Sequence, residues 1–397
     1  MDQDMKPDIQ VRKRWRWWQS GIVGITGALG LLVAGAWGGW YLRSQSSMDP
    51  ALVTFEGDLG YITLISPAES SVRANNGING RKVDFLPNSD MNVLDPGERF
   101  LFTSHESTTE AGITRIDLET GETSIILSFR NGDFISLDGL VWTPWDTLLV
   151  GEERAGGRVF EVLEPFIDSG PSPYVELTAF GRRRHEGLAI DNRGYLYGVD
   201  EVSGGGIYRF RPDAPLAPGG FGSGTLEVLA VDGDVGKLDG SRLSGTWEPA
   251  ASGQHTGFNR PEDIEIMGTV LYVALTGSNE VISIDLRDPE APTVGLFVSA
   301  GTNAQDLTAP DNLASDPDGN IYIAEDVTLA RFRDVRNQLW HATASEDPLA
   351  PARGVELVAT LGTSRDEFSG VLVDSAGERL FLNILGPDNS ILMALLP

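Results

Sequence analysis

Asp316-Pro-Asp-Gly-Asn-Ile-Tyr-Ile323 is the stretch that decides the fold, because its pattern of a tight turn followed by a β-rich run recurs along the chain. Glycine at the turn supplies the positive φ that a short hairpin demands. The six turns centre on residues 97, 145, 194, 268, 319 and 377, so most steps are close to the ~50 residues of a propeller repeat. The other copies are Asp95-Pro-Gly-Glu-Arg-Phe-Leu-Phe102, Thr143-Pro-Trp-Asp-Thr-Leu-Leu-Val150, Asp191-Asn-Arg-Gly-Tyr-Leu-Tyr197, Met267-Gly-Thr-Val-Leu-Tyr-Val273 and Asp374-Ser-Ala-Gly-Glu-Arg-Leu-Phe-Leu382.

This repeat predicts an all-β protein, a six-bladed β-propeller over residues 52–397. The step from turn 194 to turn 268 is longer than the others, and we interpret Pro212–Asn259, which is rich in Gly, Pro and Asp, as a surface insertion. A sandwich of two sheets is the alternative, but a sandwich would not produce the period.

The start of the chain has the pattern of a membrane anchor. Residues 1–16 form a basic tail. Residues 21–41 carry no charge, and this run is long enough to cross a bilayer as a helix. Aromatic residues flank this run at Trp17 and Trp18 and again at Trp40 and Tyr41, as at the two interfaces of a membrane. We therefore predict a transmembrane helix within residues 17–43, followed by a linker over residues 44–51.

The basic tail also predicts the orientation of this anchor. By the positive-inside rule the N-terminus is cytoplasmic, and the large domain lies on the far side of the membrane. A cleaved signal peptide is the alternative, with Ala34-Gly35-Ala36 as the cleavage site. Gly35 and Gly39 are four residues apart, a spacing that allows a second helix of a membrane complex to approach closely.

Composition excludes several classes of function. The chain has 57 acidic and 30 basic residues and a net charge of −27, so it repels a phosphate backbone and no nucleic-acid partner is expected. It has no cysteine, which excludes disulfides, thiolate zinc sites, iron–sulfur clusters and a cysteine nucleophile.

Acidic and amide residues recur just before the predicted inner strand of each repeat. Inner strands line the channel of a propeller, so these groups should converge at one mouth, where they repel one another unless a hard cation neutralises them. We predict a Ca²⁺ site there, while the two histidines would also suit iron or manganese. The alternative is that each acid accepts hydrogen bonds in its own turn. The group comprises His105-Glu106, Glu152-Glu153, His185-Glu186, Glu262-Asp263, Asp311-Asn312 and Glu367.

The cations nearest to this group are Arg182-Arg-Arg184 and Arg260. Guanidinium groups suit a small anionic substrate, because their planar fork matches the oxygens of a phosphate or carboxylate. Ordinary ion pairing with the many acids is the alternative interpretation.

Taken in order, these segments resemble the PhoX-like family, bacterial calcium- and iron-dependent alkaline phosphatases on a propeller scaffold. The resemblance implies that Glu186 and Glu262 bind metal, that Arg260 contacts phosphate as a catalytic residue, and that Glu153, Asp311 and Glu367 make further metal or substrate contacts. The matching segments are Thr143-Pro-Trp-Asp-Thr147 with Glu152-Glu153, Arg184-His-Glu-Gly187, Arg260-Pro-Glu262, Pro310-Asp-Asn-Leu313, and Glu367-Phe-Ser-Gly370 with Leu380-Phe-Leu-Asn383.

One departure from that family bears on the metal. The phosphatases carry an iron-ligating cysteine upstream of the Thr-Pro-Trp segment, whereas this chain reads Ser136-Leu-Asp-Gly139, so iron is not expected and Asp138 is the candidate substitute. The leading function is metal-dependent hydrolysis of a phosphate ester or a related ester. The alternative is a non-catalytic periplasmic propeller docked on an integral membrane complex through its Gly-rich helix.

Overall fold

The computed structural model describes residues 53–56, 61–65, 71–74, 82–130, 132–168, 171–214, 217–238, 240–326, 336–362, 366–386 and 389–396. The predicted basic tail, the transmembrane segment 17–43 and the linker lie outside these residues. Within the described residues, no helix is both long enough and apolar enough to cross a bilayer. The described chain is built from strands, with five short 3-10 helices at Thr178–Phe180, Gly220–Gly222, Val235–Lys237, Ala250–Ser252 and Thr276–Ser278.

The strands follow one another with short connections. The first ten are β1 (Val53–Phe55), β2 (Tyr61–Ile65), β3 (Ser71–Ala74), β4 (Lys82–Asp84), β5 (Ser89–Leu94), β6 (Phe100–His105), β7 (Gly112–Asp117), β8 (Thr123–Ser128), β9 (Leu137–Trp142) and β10 (Leu148–Glu152). The next ten are β11 (Val159–Val162), β12 (Tyr174–Glu176), β13 (Leu188–Ile190), β14 (Leu196–Val199), β15 (Ser203–Gly205), β16 (Ile207–Pro212), β17 (Gly224–Val231), β18 (Leu243–Pro249), β19 (Phe258–Asn259) and β20 (Pro261–Met267). The last ten are β21 (Val270–Leu275), β22 (Glu280–Asp285), β23 (Thr293–Ser299), β24 (Pro310–Ser315), β25 (Ile321–Glu325), β26 (Gln338–Thr343), β27 (Gly354–Leu361), β28 (Glu367–Val373), β29 (Arg379–Leu385) and β30 (Ser390–Leu395).

These strands form sheets arranged around a ring, and the described pairings are antiparallel apart from the parallel pair β3 and β8. The sheet orders are β4-β3-β8-β7-β6-β5, β12-β11-β10-β9, β13-β14-β16-β17-β18-β23-β22-β21-β20, β1-β27-β26-β25-β24 and β2-β30-β29-β28, with a small pair β15-β19. β5, β9, β13, β20, β24 and β28 pack against one another in that order, and β28 returns to β5. These six are the inner strands. The all-β, propeller-like fold predicted from the repeat is confirmed.

The prediction that the long step of the repeat, Pro212–Asn259, is a surface insertion is wrong. β17 and β18 lie inside Pro212–Asn259 and pair with β16 and with β23, so they join the strands that begin at β13 to those that begin at β20. The many Gly and Pro residues mark turns between these strands. Their density concealed the β-rich run Leu226–Val231, where the consecutive residues Val228 and Leu229 are buried.

Apolar side chains fill the spaces between neighbouring sheets. One cluster includes Tyr197, Leu271 and Ile282, and another includes Phe368 and Leu382, all at most 1% exposed. Because both faces of a sheet are covered, strands such as β29 are hydrophobic on both sides. Full burial of one such side chain contributes about 1.5–3 kcal/mol, so this packing holds the inner strands in fixed positions.

A β-bulge interrupts five of the six inner strands near the end at which they begin. In each, two consecutive residues stand opposite one residue of the neighbouring strand, for example Asp90 and Met91 in β5. Bulges re-aim side chains and are common beside functional sites. The first residue of the bulge is acidic in four of the five strands and glycine in β28, namely Asp90, Asp138, Glu262, Asp311 and Gly370.

Candidate metal centre

The bulges surround a cavity of about 640 Å³ at the end of the ring where the inner strands begin. Six of its carboxylates, the inner acids, come from the start of the inner strands or just before them. Glu186 directly precedes Gly187 and β13, and Glu367 is the first residue of β28. The inner acids are Asp90, Asp138, Glu186, Glu262, Asp311 and Glu367.

Four further carboxylates, the outer acids, lie at the ends of the strands that pair with the inner strands. Glu106 follows β6 and Glu153 follows β10, so the prediction that these two precede inner strands is wrong. In an antiparallel pair, the end of one strand lies beside the start of the other, and both sets of acids therefore reach the same cavity. The outer acids are Glu106, Glu153, Glu201 and Asp326.

The same backbone arrangement recurs around the cavity. The residue two positions before an inner acid accepts a hydrogen bond, through its carbonyl oxygen, from the N–H of the residue at the end of the paired strand. Arg184 and Arg260 therefore occupy equivalent positions in neighbouring repeats. The donor and acceptor pairs are Glu106 to Asn88, Glu153 to Ser136, Glu201 to Arg184, Thr276 to Arg260, and Asp326 to Ala309, at 2.8–3.1 Å.

Arg260 adopts the left-handed conformation, with φ of 51°. This region is sparsely populated by residues other than glycine and is found at functional sites. Asn88, Ser136 and Ala309, at the equivalent positions, have φ of 52°, 48° and 46°. The strain is therefore a repeated feature of the loops that place the inner acids.

The two arginines are the positive side chains of the cavity lining, and one carboxylate joins them. Arg184 Nη1 donates to Glu201 Oε2 at 2.8 Å, while Arg260 Nε donates to Glu201 Oε1 at 2.9 Å. Each arginine also meets a second acid. Arg184 Nη1 lies 2.5 Å from Glu153 Oε1, and Arg260 Nη2 lies 2.7 Å from Glu262 Oε1 as an ion pair without hydrogen-bond geometry.

Burial and crowding raise the pKa values of the inner acids and of Glu153. Burial, followed by the charge of Glu106, raises the pKa of Glu153 to about 10 and that of Asp90 to about 8. Burial raises the pKa of Glu262 to about 7. Burial is also the first cause that raises the pKa values of the other inner acids well above their usual range, and neighbouring carboxylates add to it, for Asp138, Glu186, Asp311 and Glu367.

The carboxylates of the cavity repel one another, and a bound cation would relieve this repulsion. Ten carboxylates face two guanidinium groups, and two like charges 4 Å apart repel by about 4 kcal/mol at an effective dielectric constant of 20. Asp138 is 3% exposed and its Oδ1 has no hydrogen-bond partner among the described residues. A buried polar atom without a partner is costly unless an ion or water satisfies it.

Two sets of three carboxylates have the spacing of ligands for one ion. Glu153, Glu186 and Glu201 form one set, Glu186, Glu262 and Asp311 form the other, and the atoms within each lie within 4.8 Å of one another. Among the described residues that line the cavity, the metal-ligating atoms are carboxylate oxygens, with no histidine. Such donors suit hard cations, of which Ca²⁺ takes six to eight oxygens.

One segment of the chain, which carries several of the cavity residues, matches a known protein family. The family model for alkaline phosphatase PhoX matches residues 145–291, a segment that contains Glu153, Arg184, Glu186, Arg260 and Glu262. This segment is therefore similar to the PhoX family. The resemblance predicted from the sequence is therefore confirmed. A search of curated proteins found no significant match.

Solved structures share the fold of this chain. The structure of PhoX from Pseudomonas fluorescens in complex with vanadate, a transition-state analogue, has a TM-score of 0.66 and 16% identity, and the match covers 87% of this chain and 96% of that one. A gluconolactonase from Xanthomonas campestris has a TM-score of 0.50 and 16% identity, over 90% of this chain and 99% of that one. At these identities the likeness concerns the fold.

Of the sequence-predicted residues, the structure brings together Glu106, Glu153, Glu186, Arg184, Arg260, Glu262, Asp311 and Glu367. Their roles toward metal and substrate stay predictions. Arg182 is outside the lining and pairs with Glu176 at 2.5 Å.

The two histidines that were predicted as ligands, His105 and His185, do not line the cavity. His105 is fully buried, with Nδ1 3.1 Å from the Pro87 carbonyl oxygen and Nε2 3.0 Å from Thr114 Oγ1. Burial lowers the pKa of His105 to about 3. His185 is also fully buried and stacks on Phe180. Both rings serve the packing of the sheets, and we correct their assignment as metal ligands.

Three other predicted residues are committed to contacts outside the cavity. Glu152 is fully buried and accepts three hydrogen bonds from Arg158. Asp263 accepts from the N–H groups of Ile264 and Leu313, and Asn312 Oδ1 accepts from Gly370 N at 2.7 Å. Because Asp263 and Asn312 join one inner strand to the next, they position the ring, and these three assignments as ligands are also corrected.

Sequence reasoning missed Asp90, Glu201 and Asp326, and it considered Asp138 only as a substitute for cysteine. Asp90 and Asp138 share a signal with Glu262 and Asp311, since each is the second residue of an inner strand. Glu201 and Asp326 follow the paired strands, as Glu106 and Glu153 do. A search at both ends of each predicted hairpin would have found all four.

Proposed function

We propose that this chain is a metal-dependent phosphate-ester hydrolase that uses the acidic cavity as its active site. One observation carries the proposal: Glu186 and Glu262, within one set of candidate cation ligands, lie beside Arg260 in the segment that matches the PhoX family. Ligands for a cation and a donor for an oxyanion are thus side by side. The vanadate complex of the Pseudomonas fluorescens relative supports the substrate class.

The residues divide the work by charge. Glu186, Glu262 and Asp311 would hold the cation, and Ca²⁺ is the ion that their oxygen atoms suit best. A bound cation supplies polarisation of the phosphoryl oxygens. Arg260 balances negative charge that develops on those oxygens, because a fixed donor in a partly buried site stabilises charge without reorganisation. Its side chain is 29% exposed, so a substrate can reach it.

We further infer that the ring of six inner strands is that of six blades, with β1 and β2 supplying outer strands from the start of the chain. The periplasmic location and the anchor within residues 17–43 remain proposals from the sequence. Protease added to spheroplasts should digest the chain beyond about residue 45 and spare the basic tail. Digestion only after lysis of the spheroplasts would contradict this orientation.

Turnover by the full-length chain tests the hydrolase. We expect hydrolysis of an aryl phosphate in calcium, loss of turnover with a chelator, and restoration by calcium. Arg260→Ala should lower kcat/KM at least about tenfold, or about 1.4 kcal/mol of transition-state stabilisation, with an unchanged melting temperature. Arg182→Ala is the matched control, because Arg182 lies in an exposed ion pair outside the cavity.

The opposite result would favour the scaffold. No turnover with phosphate esters or lactones in any divalent metal, together with co-purification of an integral membrane complex, would reject the enzyme. Replacement of Gly35 and Gly39 by Leu should then release the complex, because bulky side chains block close approach of helices.

A further inference from the structure

The ion pairs of the two cavity arginines involve the same carboxylates that a cation would need. Arg184 contacts Glu153, which belongs to one set of candidate ligands, and Arg260 contacts Glu262, which belongs to the other. A carboxylate oxygen that coordinates a cation is a weaker partner for a guanidinium, since the cation withdraws its charge. Binding of a cation should therefore loosen one contact of each arginine.

Glu201 also belongs to the first set of candidate ligands, but it has two oxygens, so one of them can hold an arginine while the other coordinates a cation. It is 5% exposed, and each of its oxygens serves a different arginine. The backbone adds to this, because Glu201 N donates to the carbonyl oxygen of Arg184 at 3.1 Å. Arg184 and Arg260 thus form a fixed pair at equivalent positions of neighbouring repeats, and Glu201 is the link between them.

Both arginines keep donors for a further ligand. The contacts within the described residues use Nη1 of Arg184, and Nε and Nη2 of Arg260, while a guanidinium has five N–H donors in all. The side chains are 37% and 29% exposed. A tetrahedral oxyanion could accept from the remaining donors of both.

We propose that Arg184, Glu201 and Arg260 form a paired anion site that opens when cations bind to the cavity acids. Without a cation, the crowded acids of the cavity disfavour an entering phosphate, and Glu153 and Glu262 compete with it for the arginines. Bound cations would reduce both the repulsion and the competition. The inference rests on the proposed function and adds to it an order of binding: cation first, then phosphate ester, with Arg184 as a second donor and Glu201 as a positioning residue.

Binding of inorganic phosphate to the full-length chain tests this order without turnover. Equilibrium dialysis with labelled phosphate at low concentration should find at least about fivefold tighter binding in calcium than after chelation. By linkage, phosphate must tighten calcium binding by the same factor. Equal phosphate affinity in the two conditions would overturn the inference.

Two variants separate the arginine pair from direct contact between phosphate and calcium. Arg184→Gln should weaken phosphate binding in calcium about tenfold, while calcium binding without phosphate becomes tighter, because the competitor for Glu153 is gone. Glu153→Gln should strengthen phosphate binding in the calcium-free chain, because Arg184 is released. A purely structural arginine would instead weaken both ligands and lower the melting temperature, and that result would overturn the proposal.

The exposed pair Arg182 and Glu176 supplies the controls Arg182→Gln and Glu176→Gln, which should change neither affinity. Glu201→Gln should reduce the coupling factor more than the calcium affinity, which distinguishes positioning from ligation. Coupled binding without hydrolysis would reject the hydrolase and keep the anion site. Hydrolysis with unchanged coupling in Arg184→Gln would keep the hydrolase and reject the anion site.

Discussion

The turns at one end of the inner strands and the cavity at the other use the same residue type in opposite ways. At the turns, Asp316 and Asp374 accept backbone N–H donors four residues on, Asp374 also accepts from Arg379 Nε at 2.6 Å, and their hydrogen bonds outweigh burial and lower their pKa values. In the cavity, Asp90 and Asp138 have raised pKa values because of burial. Donors, rather than burial, decide which acids stabilise the fold.

The difference follows from where the donors come from. A turn acid receives its donors from residues two to five positions along the chain, so sequence spacing alone provides them. A cavity acid faces acids from other repeats, and no local donor can compensate. Acids whose oxygens accept hydrogen bonds hold the sheets together, whereas acids whose oxygens lack donors are the candidates to bind a cation.

The largest effect should be the dependence of stability on pH. The folded pKa values of Glu262, Asp90 and Glu153, about 7, 8 and 10, lie above their ordinary values. Between about pH 4 and these values the folded state holds more protons than the unfolded state, so stability of the calcium-free chain falls as pH rises. Urea unfolding between pH 5 and pH 9 should show a loss of several kcal/mol, because a tenfold change in a proton affinity is equivalent to about 1.4 kcal/mol.

The turn acids change stability with pH in the opposite direction, so the stability of the chain should have a maximum at an intermediate pH. Their lowered pKa values contribute stability above about pH 4, which is lost only as pH falls through those values. Saturating calcium should flatten the decline above pH 5, because the ion neutralises the cavity. A calcium-free chain that is as stable at pH 9 as at pH 5 would contradict the cavity assignment.

The two classes of acid also differ in how far the sequence predicts them. The turns, their Asp residues and the propeller-like fold follow from the local repeat around residues such as Asp316. Glu186, Glu262 and Asp311 were predicted to converge because they begin inner strands, and they do line one cavity. His185 and Asp263 were indistinguishable from them in the sequence. A bulge in β20 decides that Glu262 rather than its neighbour Asp263 lines the cavity, and the packing of His185 on Phe180 is a contact that the repeat does not predict.

Loss of a shared ligand should have the next largest effect. Glu186 belongs to both sets of candidate ligands, so Glu186→Gln should lower kcat/KM at least about a hundredfold, equivalent to about 2.7 kcal/mol. Calcium content, measured by atomic absorption, should fall in parallel. Asp316→Asn, at a turn, is the matched control and should leave both unchanged. An active, calcium-replete Glu186→Gln chain would remove Glu186 from the site.

A turn acid should instead affect stability alone. Asp374 is 3% exposed and accepts from Glu378 N and Arg379 N as well as from Arg379 Nε. Asp374→Asn loses the ion pair and should lower the free energy of unfolding by about 1–3 kcal/mol in calcium, measured from urea denaturation. Asp347→Asn, in an exposed pair with Arg242, should cost less than about 1 kcal/mol. Equal effects of the two would mean that the turn contacts contribute no more than a surface pair.

The smallest effect, on the order of 1 kcal/mol, should be that of Asp138→Asn on the free energy of unfolding, and its sign should depend on calcium. Asp138 and Asp263 are each 3% exposed, but Asp263 accepts two backbone N–H donors whereas Asp138 Oδ1 has none within the described chain. Without calcium at pH 8, Asp138→Asn should stabilise the fold, because the folded state no longer has to hold a proton on a buried carboxyl whose pKa is raised. In saturating calcium the same substitution should destabilise the fold, because an oxygen with no other partner is lost as a ligand.

Asp263→Asn should destabilise the fold in both conditions, since the oxygens of Asp263 join two inner strands whatever the cavity contains. If Asp138→Asn behaves like Asp263→Asn, Asp138 belongs with the structural acids and the division between the two classes has to be redrawn.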